Sequence, residues 1–205
     1  MTRLRGLYAI TDPVLTGAAL LPKVEQAIAG GIRLLQYRNK TAPPAQQREE
    51  AAALARLCRE HGVLFLVNDD PLLAREAGAD GVHLGQSDSD IAPARQQLGA
   101  RAIIGRTCHA SLDAAREAEA AGADYVAFGR FFPSRTKPDA PPADIGILRE
   151  ARQRLSLPIV AIGGITPGNG QALIEAGADM LAVIHGIFGA RDIRAAARRH
   201  ADLFP

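Results

Sequence analysis

The sequence predicts one (β/α)8 barrel spanning residues 1–205, on three observations. Short apolar runs alternate with Ala-rich helical stretches about eight times along the chain. The runs are continuously apolar, as strands of a parallel sheet buried on both faces require. A phrase also recurs ahead of strands: Glu76-Ala77-Gly78-Ala79-Asp80, Ala120-Ala121-Gly122-Ala123-Asp124 and Glu175-Ala176-Gly177-Ala178-Asp179, with Ala29-Gly30-Gly31 as a looser copy. Each glycine reads as a helix C-cap feeding a short loop into the next strand. The length fits one well-filled core near the lower size limit of such barrels. An open doubly wound sheet shares the alternation, but it usually has fewer strands and a recognisable switch point.

The elements follow in order. The first strand is Leu7-Tyr8-Ala9-Ile10, ending at Thr11-Asp12-Pro13, and a helix over residues 18–29 stops at Gly30-Gly31. The second strand covers residues 32–38, and Pro43-Pro44 opens a long helix that closes at His61-Gly62. The third runs from Phe65 into Asn68-Asp69-Asp70; a short helix broken by Gly78 follows, and a fourth strand ends in His83-Leu84-Gly85-Gln86-Ser87-Asp88. A helix over 91–98, a strand over 102–105 and a helix over 111–121 come next. The sixth strand, Tyr125-Val126-Ala127-Phe128, leads into a Pro-containing loop over 129–142 and a helix over 144–155. The circuit closes with Ile159-Val160-Ala161-Ile162, a helix over 169–176, a strand over 180–184 and a helix over 192–203.

Composition narrows the function. With 24 basic against 22 acidic residues the net charge is +2, so no general field draws the chain to nucleic acid or membrane. Anion binding must therefore be local. No apolar run approaches a membrane span, and Met1-Thr2-Arg3-Leu4-Arg5 leads into a strand without a signal-peptide core, which predicts a cytoplasmic protein. Cys58 and Cys108 are too far apart for a metal or redox motif, and Cys108 lacks an activating partner. Homo-oligomerisation stays open.

In such barrels active sites lie at the C-terminal strand ends, which here are unusually polar. They carry Gln36, Arg38 and Lys40; Asn68 and Asp69; His83, Gln86 and Asp88; Thr107 and His109; then Ser134, Thr136 and Lys137. Asp69 and Asp88 end neighbouring parallel strands and can face one cavity, where two hard oxygen ligands suit Mg2+ shared with a phosphorylated substrate. They can equally be turn formers, and Asp70, before Pro71, is read as a helix cap. Arg38 and Lys40, alternate residues, point the same way and can clamp a charged group; the competing reading pairs them with the aspartates, without metal. His83 reads as a hydrogen-bonded barrel histidine. Gly163-Gly164-Ile165-Thr166 and His185-Gly186-Ile187 each lead into a helix and offer bare backbone N–H groups to a phosphate. Ser134, Thr136 and Lys137 sit within four positions of a loop expected to act as a lid. Pyrophosphate departure driven by electrostatics suits these residues better than covalent catalysis.

These motifs, LYAITD, QYRNK, VNDD, HLGQSD, TCH, FGRFFPSRTK, AIGGIT and AVIHGIFGA, resemble the thiamine phosphate synthase family in order and spacing over nearly the whole chain. That family joins 4-amino-2-methyl-5-pyrimidinylmethyl diphosphate to a thiazole phosphate and releases pyrophosphate. The resemblance implies that Gln36, Arg38, Lys40, Asn68, Thr107 and Lys137 hold the pyrimidine diphosphate, with Arg38, Lys40 and Lys137 as the catalytic cations. It implies Asp69 and Asp88 as Mg2+ ligands, and Ser134, Thr136, Gly164, Ile184 and His185 as the thiazole phosphate site. The implied mechanism is dissociative: pyrophosphate leaves, a pyrimidinylmethyl cation forms and the thiazole nitrogen captures it. Many members carry Thr where this chain has Ser134, and Ser-Ala where it has His185-Gly186. Two rivals remain: a related branch that isomerises a thiazole tautomer without a pyrophosphate clamp, and a non-catalytic phosphate-binding barrel.

Overall fold

The computed structural model describes residues 4–85, 90–133 and 141–204. Among them eight parallel strands close into a barrel in strict sequence order, β1 through β8 and back to β1. The strands are β1 Gly6–Ile10, β2 Leu34–Tyr37, β3 Leu64–Asn68, β4 Gly81–Leu84, β5 Ile103–His109, β6 Tyr125–Phe128, β7 Ile159–Ile162 and β8 Met180–Val183. The predicted (β/α)8 barrel is what the chain forms, and the open sheet is excluded because β8 pairs with β1, Gly6 against Met180 and Ala9 against Val183.

Period-two alternation sorts the strand residues into two cores. Tyr8, Ile10, Leu34, Leu66, Tyr125, Ala127, Val160, Met180 and Ala182 pack together inside the barrel. Their outward neighbours, including Ala9, Leu35, Phe65, Val82, Ile104 and Leu181, join the apolar faces of the helices in a second, larger cluster. Cys58 and Cys108 both belong to this outer layer, fully buried. Burial pushes each thiol up to about 12. The native protein is expected to take up no iodoacetamide at pH 8 within an hour and to label at both cysteines once denatured, which mass spectrometry reads directly.

The helices around the barrel are α1 Pro13–Thr16, α2 Leu20–Ala29, α3 Pro44–Glu60, α4 Pro71–Ala77, α5 Ile91–Leu98, α6 Leu112–Ala120, α7 Gly146–Arg154, α8 Gly170–Glu175, α9 His185–Phe188 and α10 Ile193–Ala201. Asp70 caps α4, its carboxylate accepting from the Leu73 N–H at 2.9 Å, as the sequence predicts. Three differences from expectation have local causes. α1, capped by Asp12, and α9 are single turns, too short to show a helical period. β5 runs on to His109 because a bulge between Thr107 and His109 lets the pairing with β6 continue, so both residues lie on the strand rather than after it. β2 is shorter than predicted, ending at Tyr37, so that Arg38 leaves the sheet.

The recurring phrase does more than end helices. Gly78 takes the left-handed conformation at the end of α4, φ 67°. The aspartates that follow reach sideways: Asp80, Asp124 and Asp179 accept from the backbone N–H of Phe65, Ile104 and Ile159 at 2.8, 2.7 and 2.9 Å. Each thus ties the start of one strand to the start of the preceding one. Arg95 and Arg152 pair with Asp124 and Asp179 on the same face. The repeat therefore stabilises the N-terminal end of the barrel and leaves the other end to chemistry.

Candidate active site

At the C-terminal strand ends the barrel opens into a cavity of about 630 Å³. Of the predicted site residues, Gln36, Arg38, Lys40, Asn68, Asp69, Thr107, Gly164, Ile184 and His185 line it together. Gln86, Asp88, Ser134, Thr136 and Lys137 lie outside the described residues.

One wall is cationic and comes from the end of β2. Arg38 is fixed through its backbone: its N–H donates to Thr11 Oγ1 at 2.8 Å and its carbonyl accepts from the same hydroxyl at 3.3 Å. The alternate residues Tyr37 and Asn39 face away and donate to Glu50 Oε2 on α3, at 2.6 and 3.1 Å. This bracket holds Arg38 and Lys40 toward the mouth. Glu50→Ala is expected to weaken binding of inorganic pyrophosphate at this wall roughly tenfold, about the worth of one hydrogen bond to a charged group. Isothermal titration of pyrophosphate into the parent and the variant checks it.

Asp69 stands beside this wall, just past the end of the neighbouring strand β3. Its φ is 64°, a left-handed conformation that Asp tolerates better than most residues, and its backbone N–H donates to the His83 carbonyl at 2.8 Å. The carboxylate lies 2.7 Å from Lys40 Nζ. The ion pair of the competing sequence reading is thus present for Lys40. It is half-exposed and worth at most about 1 kcal/mol, weak enough to reorganise around an incoming anion. As a hard oxygen donor on a rigid strand end, Asp69 also fits a Mg2+ ion, which is commonly held by one or two carboxylates together with substrate phosphate oxygens.

Another part of the lining is backbone. Gly163 and Gly164 follow β7 with φ 105° and 65°, and the turn is fastened by Asn169, which accepts from the Thr166 N–H at 2.8 Å and donates to the Gly164 carbonyl at 3.1 Å. The residues after β6 are zipped onto this turn: Phe131 and Phe132 donate to the carbonyls of Ile162 and Gly163 at 3.2 and 3.1 Å. Next to it α9 begins at His185 without a side-chain cap, directly after Ile184. The two turns bring main chain from the ends of β7 and β8 to the cavity that Arg38 and Lys40 also line.

The floor holds residues the sequence reading passed over. Tyr8 and Tyr125, in otherwise apolar strands, turn into the lumen; a third residue passed over, Arg130 after β6, lines the cavity beside the Gly163 turn. A readable signal existed: two tyrosines at inward positions of apolar strands must find partners for their hydroxyls. His83 is the hydrogen-bonded barrel histidine expected, bound to Tyr125 Oη and Thr107 Oγ1, each at 2.8 Å.

Comparison with known proteins identifies the family. The family model described as thiamine monophosphate synthase matches residues 7–187. The chain is 56% identical to the thiamine-phosphate synthase of Alcanivorax borkumensis, covering 98% of this chain and 95% of that protein. It is 53% identical to that of Thioalkalivibrio sulfidiphilus, over 98% and 96%. A solved structure of thiamine phosphate pyrophosphorylase from Pyrococcus furiosus superposes with a TM-score of 0.90 at 36% identity, over 98% and 96% of the two chains. On both counts, sequence and architecture, the chain belongs to the thiamine monophosphate synthase family.

Proposed function

We propose that this chain, acting as one barrel domain over residues 1–205, joins 4-amino-2-methyl-5-pyrimidinylmethyl diphosphate to thiazole phosphate and releases pyrophosphate. The observation that carries the reading is the make-up of the cavity: Arg38 and Lys40 from the end of β2 line it together with the Gly163-Gly164 turn after β7 and the start of α9 after β8. Two anions of different charge thus have separate seats. Neither the tautomer-isomerising branch nor a simple phosphate-binding barrel calls for both.

Arg38 and Lys40, with Lys137 from the loop after β6, bind the diphosphate and neutralise the charge that grows on it as the methylene C–O bond breaks. Gln36, Asn68 and Thr107 orient the pyrimidine end. The bonding pair leaves with pyrophosphate, and the thiazole nitrogen supplies the lone pair that forms the new C–N bond. Gly164, Ile184 and His185, with Ser134 and Thr136, hold the thiazole phosphate so that this nitrogen faces the reacting carbon. Asp69 and Asp88 would hold Mg2+, which when bound supplies further positive charge to the leaving group. Ionisation needs no enzyme nucleophile, and Cys108 faces the outer layer, away from the cavity.

Arg38→Ala tests the division. It is expected to weaken the pyrimidine diphosphate KM at least tenfold while the thiazole phosphate KM stays within threefold, the loss of a charge-assisted contact on one side only. Equal losses for both substrates would contradict the two-seat arrangement.

A further inference from the structure

Five inward-facing polar side chains, one from each of five strands, run as a single hydrogen-bonded chain across the barrel floor. Gln36 Nε2 donates to Tyr8 Oη. Tyr8 Oη lies 3.0 Å from Tyr125 Oη, which lies 2.8 Å from His83 Nδ1, and His83 Nε2 lies 2.8 Å from Thr107 Oγ1. The chain is built in: Tyr8 and Tyr125 are 1% and 0% exposed, and Gly105 leaves the room that the Tyr125 ring fills, since a Cβ there would sit 2.0 Å from the ring. Burial raises the pKa of both phenols, so both keep their protons.

An amide nitrogen can only donate, and that gives the chain a direction. Tyr8 accepts from Gln36, and its own buried hydroxyl proton has Tyr125 Oη as the remaining partner, so it donates to Tyr125. Tyr125 donates in turn to His83 Nδ1. The imidazole therefore carries its proton on Nε2 and donates to Thr107, whose own hydroxyl proton is left for the cavity. At the other end Gln36 is left with Oε1, an acceptor. Gln36 and Thr107 both line the cavity.

We propose that this one-way chain sets the ring specificity of the site: Gln36 Oε1 accepts from the amino group of an aminopyrimidine and the Thr107 hydroxyl donates to a ring nitrogen. Tyr8, Tyr125 and His83 are positioning residues for that pair. An oxo group in place of the amino group would set an acceptor against an acceptor, and a buried mismatch of that kind is strongly rejected. The proposal rests on the reading of this wall as the pyrimidine diphosphate seat.

Two measurements test it. In 15N-histidine-labelled protein without substrate, long-range proton–nitrogen correlations are expected to show His83 as the Nε2–H tautomer, assigned by its loss in His83→Gln. A proton on Nδ1 would reverse the chain and overturn the proposal. In kinetics, Tyr125→Phe is expected to reduce the kcat/KM preference for 4-amino over 4-oxo pyrimidine diphosphate at least tenfold, with the thiazole phosphate KM within twofold. Tyr8→Phe, which cuts the chain one link earlier, is expected to lower the same ratio. An unchanged ratio in both variants would overturn the proposal even if the tautomer is as stated. Failure of the parent protein to turn over either diphosphate would overturn the substrate reading and the specificity drawn from it, a result distinct from a reversed tautomer.

Discussion

Asp69→Asn is expected to lower kcat/KM for the pyrimidine diphosphate by about 10²- to 10³-fold, the usual loss when one preorganised electrostatic contact in a reacting site is removed. The fold should survive. Asparagine tolerates the left-handed conformation that residue 69 adopts, φ 64°, and the backbone bond to His83 does not involve the side chain. What disappears is the charge. The lost ion pair with Lys40 is half-exposed, so at most about 1 kcal/mol of stability goes with it, a shift of roughly 2–4 °C in Tm for a chain of this size. Kinetics and a thermal melt on one preparation separate the two effects. Activity within threefold of the parent would remove Asp69 from the diphosphate seat and from any metal site.

Gly164→Ala is the second large effect, and here binding and stability fall together. The residue has φ 65°, and a Cβ would stand 2.4 Å from the Pro133 carbonyl oxygen and 2.8 Å from Phe132 Cβ. Either the turn after β7 or the chain after β6 must move. Strain of this kind costs about 1–3 kcal/mol, and the displaced N–H groups should raise the thiazole phosphate KM at least tenfold, more than the diphosphate KM. Gly168→Ala is the control. It lies in the same turn, where the nearest atom to an added Cβ is Thr166 Oγ1 at 3.8 Å, and its stability should stay within about 0.5 kcal/mol of the parent. Similar losses in the two variants would show that the turn responds to any added methyl and is no phosphate seat.

The barrel was legible because its signals are local. Apolar runs bounded by Gly-Ala-Asp phrases locate strands one by one, and the order of closure follows from the right-handed crossover. β6 and β7 begin and end where the pattern places them. α1 and α9 escaped because one turn has no period, and β5 was cut short because its last residues are polar where they face the mouth. The polar strand ends also named most of the cavity lining in advance, since alternation fixes which residues turn inward. Pairings across the barrel were not legible. Nothing near Glu50 in sequence announces Tyr37 and Asn39 as partners, nor does Asp124 announce the N–H of Ile104. The Gln36–Tyr8–Tyr125–His83–Thr107 chain joins residues up to 117 positions apart in a single bond, and only closure of the sheet brings them together.

The most direct test of the whole account is stoichiometry in one vessel. Purified protein with pyrimidine diphosphate, thiazole phosphate and Mg2+ is predicted to release pyrophosphate and form thiamine phosphate in equal amounts, with neither produced when any one component is left out. Pyrophosphate released without thiamine phosphate, or no release with all three present, would contradict the synthase reading.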